Sequence, residues 1–477
     1  MMSMTKNICW SVFLLALPWL LPAQTSVDTL SLDEYYDLLR DNHPVARQAA
    51  LLPEQAIAQL RLVRGAYDPK LFGEADQKVF EGKNYYRHLD GGLKIMTLPG
   101  IEVKAGYEQG IGENLNPEAY TPSEGLMYAG ISVPLGQGLL IDSRRAALRK
   151  ARIFQQSSSV EQLALLNDLY LEATKVYWEW SQTRSVLAVQ EEAVAIAEQR
   201  YNATVESFRF GDKPGVDTLE ALIQLQTRQQ RLLSSQLEEQ KARLMVSNYL
   251  WNPDGQPLII DQSLTPNSVP LANPQEAAIF DSTVTWLKGL AQRHPEMQLL
   301  RFKLAELEVE RRLKADKLKP KVYVNYNLIN RPVLIGDDPA PLYPNILENN
   351  YKWGLSIGFP IFLREERGNL ELARLKIQDT EYKQDLKLQE LTNKVLAYLA
   401  ELENLTAQLE LYEQTVRNYE ALLEAEVFKF EAGESSLFLI NSRETKLIEA
   451  RIKLLELQAK FRKAAAGLAW SAGVLAG

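Results

Sequence analysis

Two short segments, residues 208–221 and 428–441, interrupt unusually long helical patterns. The first contains Gly211, Pro214 and Gly215, which a helix does not accommodate cheaply. The helical pattern runs back from it to about residue 145 and forward to about residue 251. The second lies about 220 residues later, and both contain two phenylalanines around a basic residue, followed by a glycine, which is Gly433 in the second. Each segment predicts the tip of a long helical hairpin, and two tips predict an internal repeat.

Other features recur with the tips. The His43-Pro44 pair is repeated at His294-Pro295, and Pro69 is repeated at Pro320, both at a separation of 251 residues. We expect the two histidines to have structural roles in turns. The repeat suggests the following division of the chain: a signal peptide at 1–23; a first repeat at 24–252, with strands at 70–135 and a hairpin at 143–251; a linker at 253–274; and a second repeat at 275–477, with a short helix at 275–292, strands at 321–361 and a hairpin at 366–471.

Each repeat has a region in which apolar and polar residues alternate, as in half-buried β-strands. Residues 93–97 and 101–105 show this pattern in the first repeat, and residues 323–329 show it in the second. The long helices instead carry apolar residues three and four positions apart, a coiled-coil pattern. It is most regular in the second repeat, at Leu388, Leu391, Val395, Tyr398, Leu402, Leu405, Leu409, Tyr412, Val416, Tyr419 and Leu423.

Composition excludes several functions. The formal net charge is −8 and no stripe of basic residues stands out, which argues against nucleic acid as a partner. The only cysteine, Cys9, lies in the expected signal peptide, so we expect no disulfide and no cysteine chemistry in the mature chain. The sequence shows no catalytic triad, phosphate-binding loop or zinc motif, so we expect neither an enzyme nor a cofactor or metal site. Outside the signal peptide no apolar run reaches the length of a membrane helix, so a membrane-embedded chain would have to use strands.

At this point the sequence resembles the TolC family of bacterial outer-membrane efflux proteins. The motif formed by Gly211, Asp217 and residues 219–221 is close to that family's hairpin tip, and residues 132–135 and 358–361 resemble its step from strand to helix. The resemblance implies a mainly α fold with a β-barrel portion. Long antiparallel hairpins would form a coiled-coil α-barrel in the periplasm, and the strands of a homotrimer would close a transmembrane β-barrel in the outer membrane.

The resemblance also implies a function and partners. The chain would be the passive exit duct of a tripartite efflux or type I secretion system, embedded in outer-membrane lipid. It would dock on a periplasmic adaptor, also called a membrane fusion protein, and on an inner-membrane transporter. The alternative is a coiled-coil adaptor or spacer in the periplasm that forms no channel.

The candidate site is the periplasmic tip and the channel constriction. We expect Asp217 to be a helix N-cap, with Glu220 completing a capping box. The alternative, compatible with the first, is a threefold ring of these carboxylates around the tunnel mouth, with the basic residues Arg209 and Lys213 beside it. The second tip, at Gly433, is expected to be about two residues shorter and lacks this acidic pair.

The sequence leaves open how the strands are arranged. The first β region, residues 71–134, is longer than the second, residues 322–360, so an additional hairpin either extends the barrel wall or lies over it. A count of twelve strands for the trimer is therefore an open question. Tyr128 and Trp353 occupy nearly equivalent repeat positions, and we expect both to belong to an aromatic girdle at a membrane interface.

Overall fold

The computed structural model describes residues 29–261, 263–268, 289, 292–332 and 350–475. The expected signal peptide with Cys9, part of the expected linker, most of the expected helix at 275–292 and most of the loop before the last strand lie outside the described residues.

The first repeat runs from short helices through a sheet into a long hairpin. A two-residue strand precedes the first helix, whose capping box pairs Ser31 with Glu34. The elements of this repeat and of the segment after it are β1 (Thr29–Leu30), α1 (Leu32–Asn42), α2 (Pro44–Arg64), β2 (Lys70–Phe80), β3 (Lys83–Met96), β4 (Glu102–Ile111), β5 (Leu126–Pro134), α3 (Ser143–Arg209), α4 (Gly215–Ser247) and β6 (Thr265–Pro266).

The second repeat follows the same order with fewer strands. Its described elements are α5 (Pro295–Asp316), β7 (Lys321–Asn330), β8 (Tyr351–Gly358), α6 (Arg364–Glu431) and α7 (Leu437–Ser471). The longest helices, α3 and α6, have 67 and 68 residues. At about 1.5 Å per residue each is about 100 Å long. Among the described helices, none has both the length and the hydropathy needed to cross a membrane.

Six strands form one antiparallel sheet in the order β2-β3-β4-β5-β7-β8, so each repeat contributes adjacent strands and β5 pairs with β7 across the repeats. The junction between repeats continues below the sheet, where the backbone N–H groups of Leu135 and Gln137 each donate to carbonyls of the second repeat, at 2.8 Å. Gly138 N–H also donates to the buried Asp316 carboxylate, at 2.6 Å. These bonds join the strand-to-helix step of the first repeat to the second repeat.

The sheet has one apolar and one polar face, because side chains alternate along every strand. The paired register brings together on one face Leu71, Leu93, Ala105, Ala129, Leu328, Val103, Ile131, Tyr326, Trp353, Val324, Leu355 and Ile357. Many of these side chains are exposed in the single chain; Leu71 and Trp353 are 86% and 64% exposed. An exposed apolar surface of this kind marks an interaction with lipid or protein.

The opposite face of the sheet is polar. Its residues include Lys70, Glu74, Asp90, Lys94, Lys104, Glu108, Asn325, Asn327, Lys352 and Ser356. Tyr128 lies on this face, where its hydroxyl donates to Asp90 at 2.8 Å and Lys104 lies over its ring. The two faces therefore differ in chemistry across all six strands.

The helical hairpins pack along the apolar pattern seen in the sequence. In α6 the residues Val395, Leu402 and Leu409 are buried, and they belong to a cluster with Leu457 and Phe461 of α7. The core of the first repeat lies at the middle of α3, where Tyr177 and Trp180 are fully buried against α1 and α4. The expected fold class is thus confirmed for the chain: long antiparallel hairpins, strands in one sheet, and two repeats.

The repeated His-Pro pairs are helix starts. His43 and His294 are the N-caps of α2 and α5, and in each the ring Nδ1 accepts the N–H two residues later, at 3.2 Å. The proline occupies the first helical position, where a missing N–H costs nothing. Each ring packs against the tryptophan that ends its repeat, Trp251 or Trp470. The expected structural role of both histidines in turns is confirmed.

Candidate functional site: the two hairpin tips

The two hairpin tips have the same backbone design. Each has five residues between its helices, 210–214 in the first and 432–436 in the second. Gly211 and Gly433 have φ values of +83° and +79°, the left-handed conformation that glycine adopts without strain. The N–H after each glycine returns to a carbonyl five residues earlier, closing a Schellman motif. The expectation that the second tip is two residues shorter is therefore wrong.

The expectation that Asp217 is an N-cap is also wrong, because the helix after the first tip begins earlier than expected. Helix α4 begins at Gly215, its N-cap is Pro214, and no side chain caps it. Asp217 is instead the third residue of the helix, and its N–H donates to the carbonyl of Pro214 at 3.1 Å. The Phe208 ring packs 3.4 Å from where a β-carbon on Gly215 would lie, so the end of α3 packs on the start of α4, whose N-cap comes three residues earlier than local capping chemistry suggests.

The acidic pair lies on the surface of the first tip. Asp217 and Glu220 are both half-buried, and within the described residues neither forms an ion pair. A carboxylate in the first turn of a helix is stabilised by the positive end of the helix dipole. Arg209 is exposed at the end of α3. Lys213 points instead to the second tip, where its Nζ lies 4.4 Å from the centre of the Phe430 ring. The structure thus uses Lys213 to join the two tips.

Both tips expose large apolar side chains. Phe210 and Phe428 are 82% and 74% exposed, and Val216, Leu219 and Phe438 are also exposed. Within one chain these side chains have little to pack against. Exposed aromatic side chains beside polar groups are typical of protein interfaces.

The second tip is held by a buried carboxylate. Glu426 of α6 is 8% exposed. It accepts from the Ser435 hydroxyl at 2.6 Å and from the Arg443 guanidinium at 3.4 Å. The hydrogen bond from Ser435, with help from Arg443, holds the pKa of Glu426 below its usual value. Glu426 therefore stays ionised and fixes the tip loop to both of its helices.

A buried polar cluster connects the two hairpins above the tips. Arg228 of α4 is 1% exposed and donates to the Thr445 hydroxyl of α7 at 2.8 Å. Arg200 of α3 pairs with Glu444 of α7 and donates to Asn441 at 3.1 Å. The second carboxylate oxygen of Glu444, Oε1, has no hydrogen-bond partner among the described residues. Burial lowers the pKa of Arg228, which Glu444 counteracts.

This cluster places two arginines near one buried glutamate. Removing one charged partner from such a buried site strongly destabilises the folded protein. The sequence-based prediction did not include this cluster, although the spacing of buried residues in α4 indicates it. Ala221, Leu225 and Arg228 of α4 are spaced four and three apart, so the arginine continues a buried apolar stripe. Such a stripe normally excludes charge, and a charge within it indicates a partner on a neighbouring helix.

The expected aromatic girdle needs a correction. Trp353 lies on the apolar face of the sheet, but Tyr128 lies on the polar face, is 7% exposed and bonds Asp90. Met127, not Tyr128, occupies the position that corresponds to Trp353 in the repeat. A shift of one residue in a strand moves a side chain to the opposite face. The two residues therefore cannot face the same lipid interface, and only Trp353 keeps that prediction.

No group of His, Cys, Asp or Glu side chains within the described ranges is arranged to hold a metal ion. The chemistry of the tips is therefore that of charged and apolar surfaces.

The fold has counterparts among solved structures. It is the fold of solved outer-membrane channels: that of the Campylobacter jejuni CmeC channel, at 15% identity with a TM-score of 0.63 over 93% of this chain and 86% of that one. The open state of the Neisseria gonorrhoeae MtrE channel is also similar, at 15% identity with a TM-score of 0.64 over 93% and 89%. The VceC outer membrane protein from Vibrio cholerae has 14% identity and a TM-score of 0.63 over 93% and 96%.

A family model also matches part of the chain. Residues 286–474, which lie within the second repeat, match the outer membrane efflux protein family. No curated relative matches the sequence. The resemblance to TolC-family outer-membrane efflux proteins is confirmed by these two findings. The expected outer-membrane location and role in transport agree with both.

Proposed function

We propose that this protein is the passive, homotrimeric exit duct of a tripartite efflux or type I secretion system. Its sheet contributes to a barrel in the outer membrane, and its hairpins line a periplasmic tunnel. The tips meet a periplasmic adaptor joined to an inner-membrane transporter. The family match to outer membrane efflux proteins supports this proposal.

The observation that carries the proposal is one chain with an apolar-faced sheet at one end of helices about 100 Å long and two tips at the other. The exposed apolar face suits contact with lipid, and the polar face suits contact with water. The long helices carry many exposed polar residues, which suits a tunnel wall with solvent on both sides. A passive duct needs these surfaces and no reaction chemistry.

The sheet also discriminates against the alternative, a periplasmic adaptor or spacer. A coiled-coil spacer does not need a six-stranded sheet that exposes Leu71, Trp353 and Ile357 on one face. It would leave that apolar surface in water. A membrane would cover this surface.

Membrane fractionation with native mass measurement tests the assembly. We expect the mature protein in the outer-membrane fraction, and a trimer after extraction with detergent. A monomer that stays in solution without detergent would contradict the proposal and favour the periplasmic spacer.

The acidic pair of the first tip should control ion selectivity. In a trimer Asp217 and Glu220 each occur three times around the axis, and the mutual repulsion of these carboxylates favours bound cations. We expect Asp217→Ala with Glu220→Ala to lower the cation preference in planar-bilayer recordings. Conductance should stay low until the contacts between tips are broken. Because Asp217 makes no capping bond, the stability lost should be under about 1 kcal/mol.

The matched control removes acidic residues from the other tip, as Glu431→Ala with Glu434→Ala. Its reversal potential in a salt gradient should equal that of the unmodified protein. If only this control changes selectivity, the constriction lies at the second tip and Asp217 has no role in it.

A further inference from the structure

The two repeats differ by one inserted hairpin. In the second repeat the chain enters the sheet in β7 and returns to the helices in the neighbouring strand β8. In the first repeat it enters in β2 and returns in β5, with β3 and β4 between them. The ends of the two strand regions match across the repeat, so β3 and β4 are the addition.

The added strands are part of the sheet. Strand β3 pairs with β2 from Lys70↔Lys94 to Phe80↔Lys83, and with β4 from Arg87↔Ile111 to Met96↔Glu102. Strand β4 also pairs with β5, so both added strands have a neighbour on each side. A hairpin lying over the sheet would leave β4 with only one neighbour.

The side-chain pattern also crosses the added strands without a break. Leu93 of β3 and Ala105 of β4 lie between Leu71 and Ala129 on the apolar face. Lys94 and Lys104 lie between Lys70 and Gly130 on the polar face. A continuous apolar face across six strands is what one membrane-facing wall requires.

The sheet ends in two free edges. Among the described strands, β2 pairs only with β3, and β8 pairs only with β7. Both edges present outward apolar residues, Leu71 and Ala75 on β2, and Trp353, Leu355 and Ile357 on β8. In hydrocarbon an unpaired backbone group has no water to bond, so both edges need a partner.

A second copy of this chain fits these edges. With an even number of antiparallel strands, β8 of one copy runs opposite to β2 of the next, so the pattern continues without a parallel step. Its apolar and polar faces continue across the junction. The other edge of a neighbouring copy therefore suits each edge as a partner.

We propose that each chain contributes all six strands and that the trimer of the proposed function closes a wall of eighteen strands rather than twelve. With about 4.8 Å between strands and a tilt of about 40°, the barrel is about 36 Å across its backbone, against about 24 Å for twelve strands. Eighteen strands lie in the range in which porins leave an open aqueous channel. The outer mouth is then wide enough to pass bulky hydrated solutes.

Disulfide crosslinking between copies tests which strand meets β8. In a chain with Cys9→Ser, a cysteine on the polar face of β8 is combined with one on the polar face of either β2 or β4. The matched series use β8 positions Lys352, Gly354 and Ser356 with β2 positions Phe72, Glu74 and Asp76, or with β4 positions Lys104, Gly106 and Glu108. Ala105→Cys with Ala129→Cys, on Cα partners within one chain, is the oxidation control.

We expect the best β8–β2 pair to give at least ten times more crosslinked oligomer than any β8–β4 pair. Crosslinks from β8 to β4 instead would overturn the six-strand wall while leaving the trimeric duct intact. A trimer whose control oxidises but whose two series stay uncrosslinked also overturns it. A monomer in native mass measurement would refute both the wall and the proposed function.

Discussion

At the scale of single residues, the buried N-cap histidines make stability depend on pH. Burial lowers the pKa of His294, so the folded chain holds this ring neutral. Its unfolded pKa is about 6.5. The stability that it contributes is complete well above that value and is lost as pH falls through about 6.5 toward the folded pKa. We therefore expect the unfolding temperature to fall between pH 7.5 and pH 5.

The variant His294→Asn separates this histidine from the carboxylates that also titrate in acid. Asparagine is a good N-cap but carries no proton in this range, so the fall in unfolding temperature should be smaller. The change is measured by the helical circular dichroism signal in detergent. His88→Asn, in strand β3, serves as the control and should keep the full pH dependence. Equal slopes for all three proteins would show that His294 is not held neutral by the fold.

Residue-scale prediction from sequence succeeded where local chemistry decides the outcome. The two histidines before prolines were expected in turns, and the structure shows them as N-caps. It failed where packing between side chains or strands decides the outcome. Asp217 has the sequence context of a cap, but Phe208 packs on Gly215 and the helix begins earlier. The face occupied by Tyr128 depends on strand register, which alternation alone does not fix to one residue.

At the scale of elements, the buried polar cluster should govern how firmly the two hairpins hold together. Glu444 lies between two arginines, and Arg228 is almost fully buried. Removing the glutamate leaves buried positive charge without an anion, which costs about 3 to 5 kcal/mol. Removing Arg228 leaves Glu444 still paired with Arg200. We expect Glu444→Ala to lower the unfolding temperature more than Arg228→Ala does.

The control for this pair is Arg451→Ala, which removes partly exposed ion pairs from α7 to Glu420 of α6 and to Glu192 of α3. Such pairs contribute about 0 to 1 kcal/mol, so its effect should be small. Thermal unfolding followed by circular dichroism compares the three variants. A smaller loss for Glu444→Ala than for Arg228→Ala would mean that the glutamate does not compensate the arginines.

Elements were the most predictable scale, because periodicity along a chain is a local property. The apolar positions of α6 pack on α7 at the spacing visible in the sequence. The strand pairing was less predictable. Alternation in residues 71–134 indicates strands but leaves the extra hairpin either in the wall or over it. The choice depends on β4 pairing with β5, and on β5 pairing with β7 nearly two hundred residues away.

At the scale of the whole molecule, the apolar face of the sheet should lie against lipid. Trp353 reports this directly, because it is 64% exposed on that face and no neighbouring strand covers it within the chain. In a variant that retains Trp353 as its only tryptophan, we expect strong fluorescence quenching by quenchers attached to lipid, greatest at the depth of one membrane interface.

A variant with Trp180 as its only tryptophan provides the comparison. Trp180 is fully buried in the helical core, far along the chain from the sheet, and lipid quenchers should leave it bright. If Trp353 is quenched no more than Trp180, the apolar face is covered by protein. That covering would be a neighbouring copy or a partner. Quenching restricted to Trp353 instead makes this face the outer surface of the barrel wall, and places Tyr128, Asp90 and the lysines of the opposite face on the water-filled side through which solutes leave.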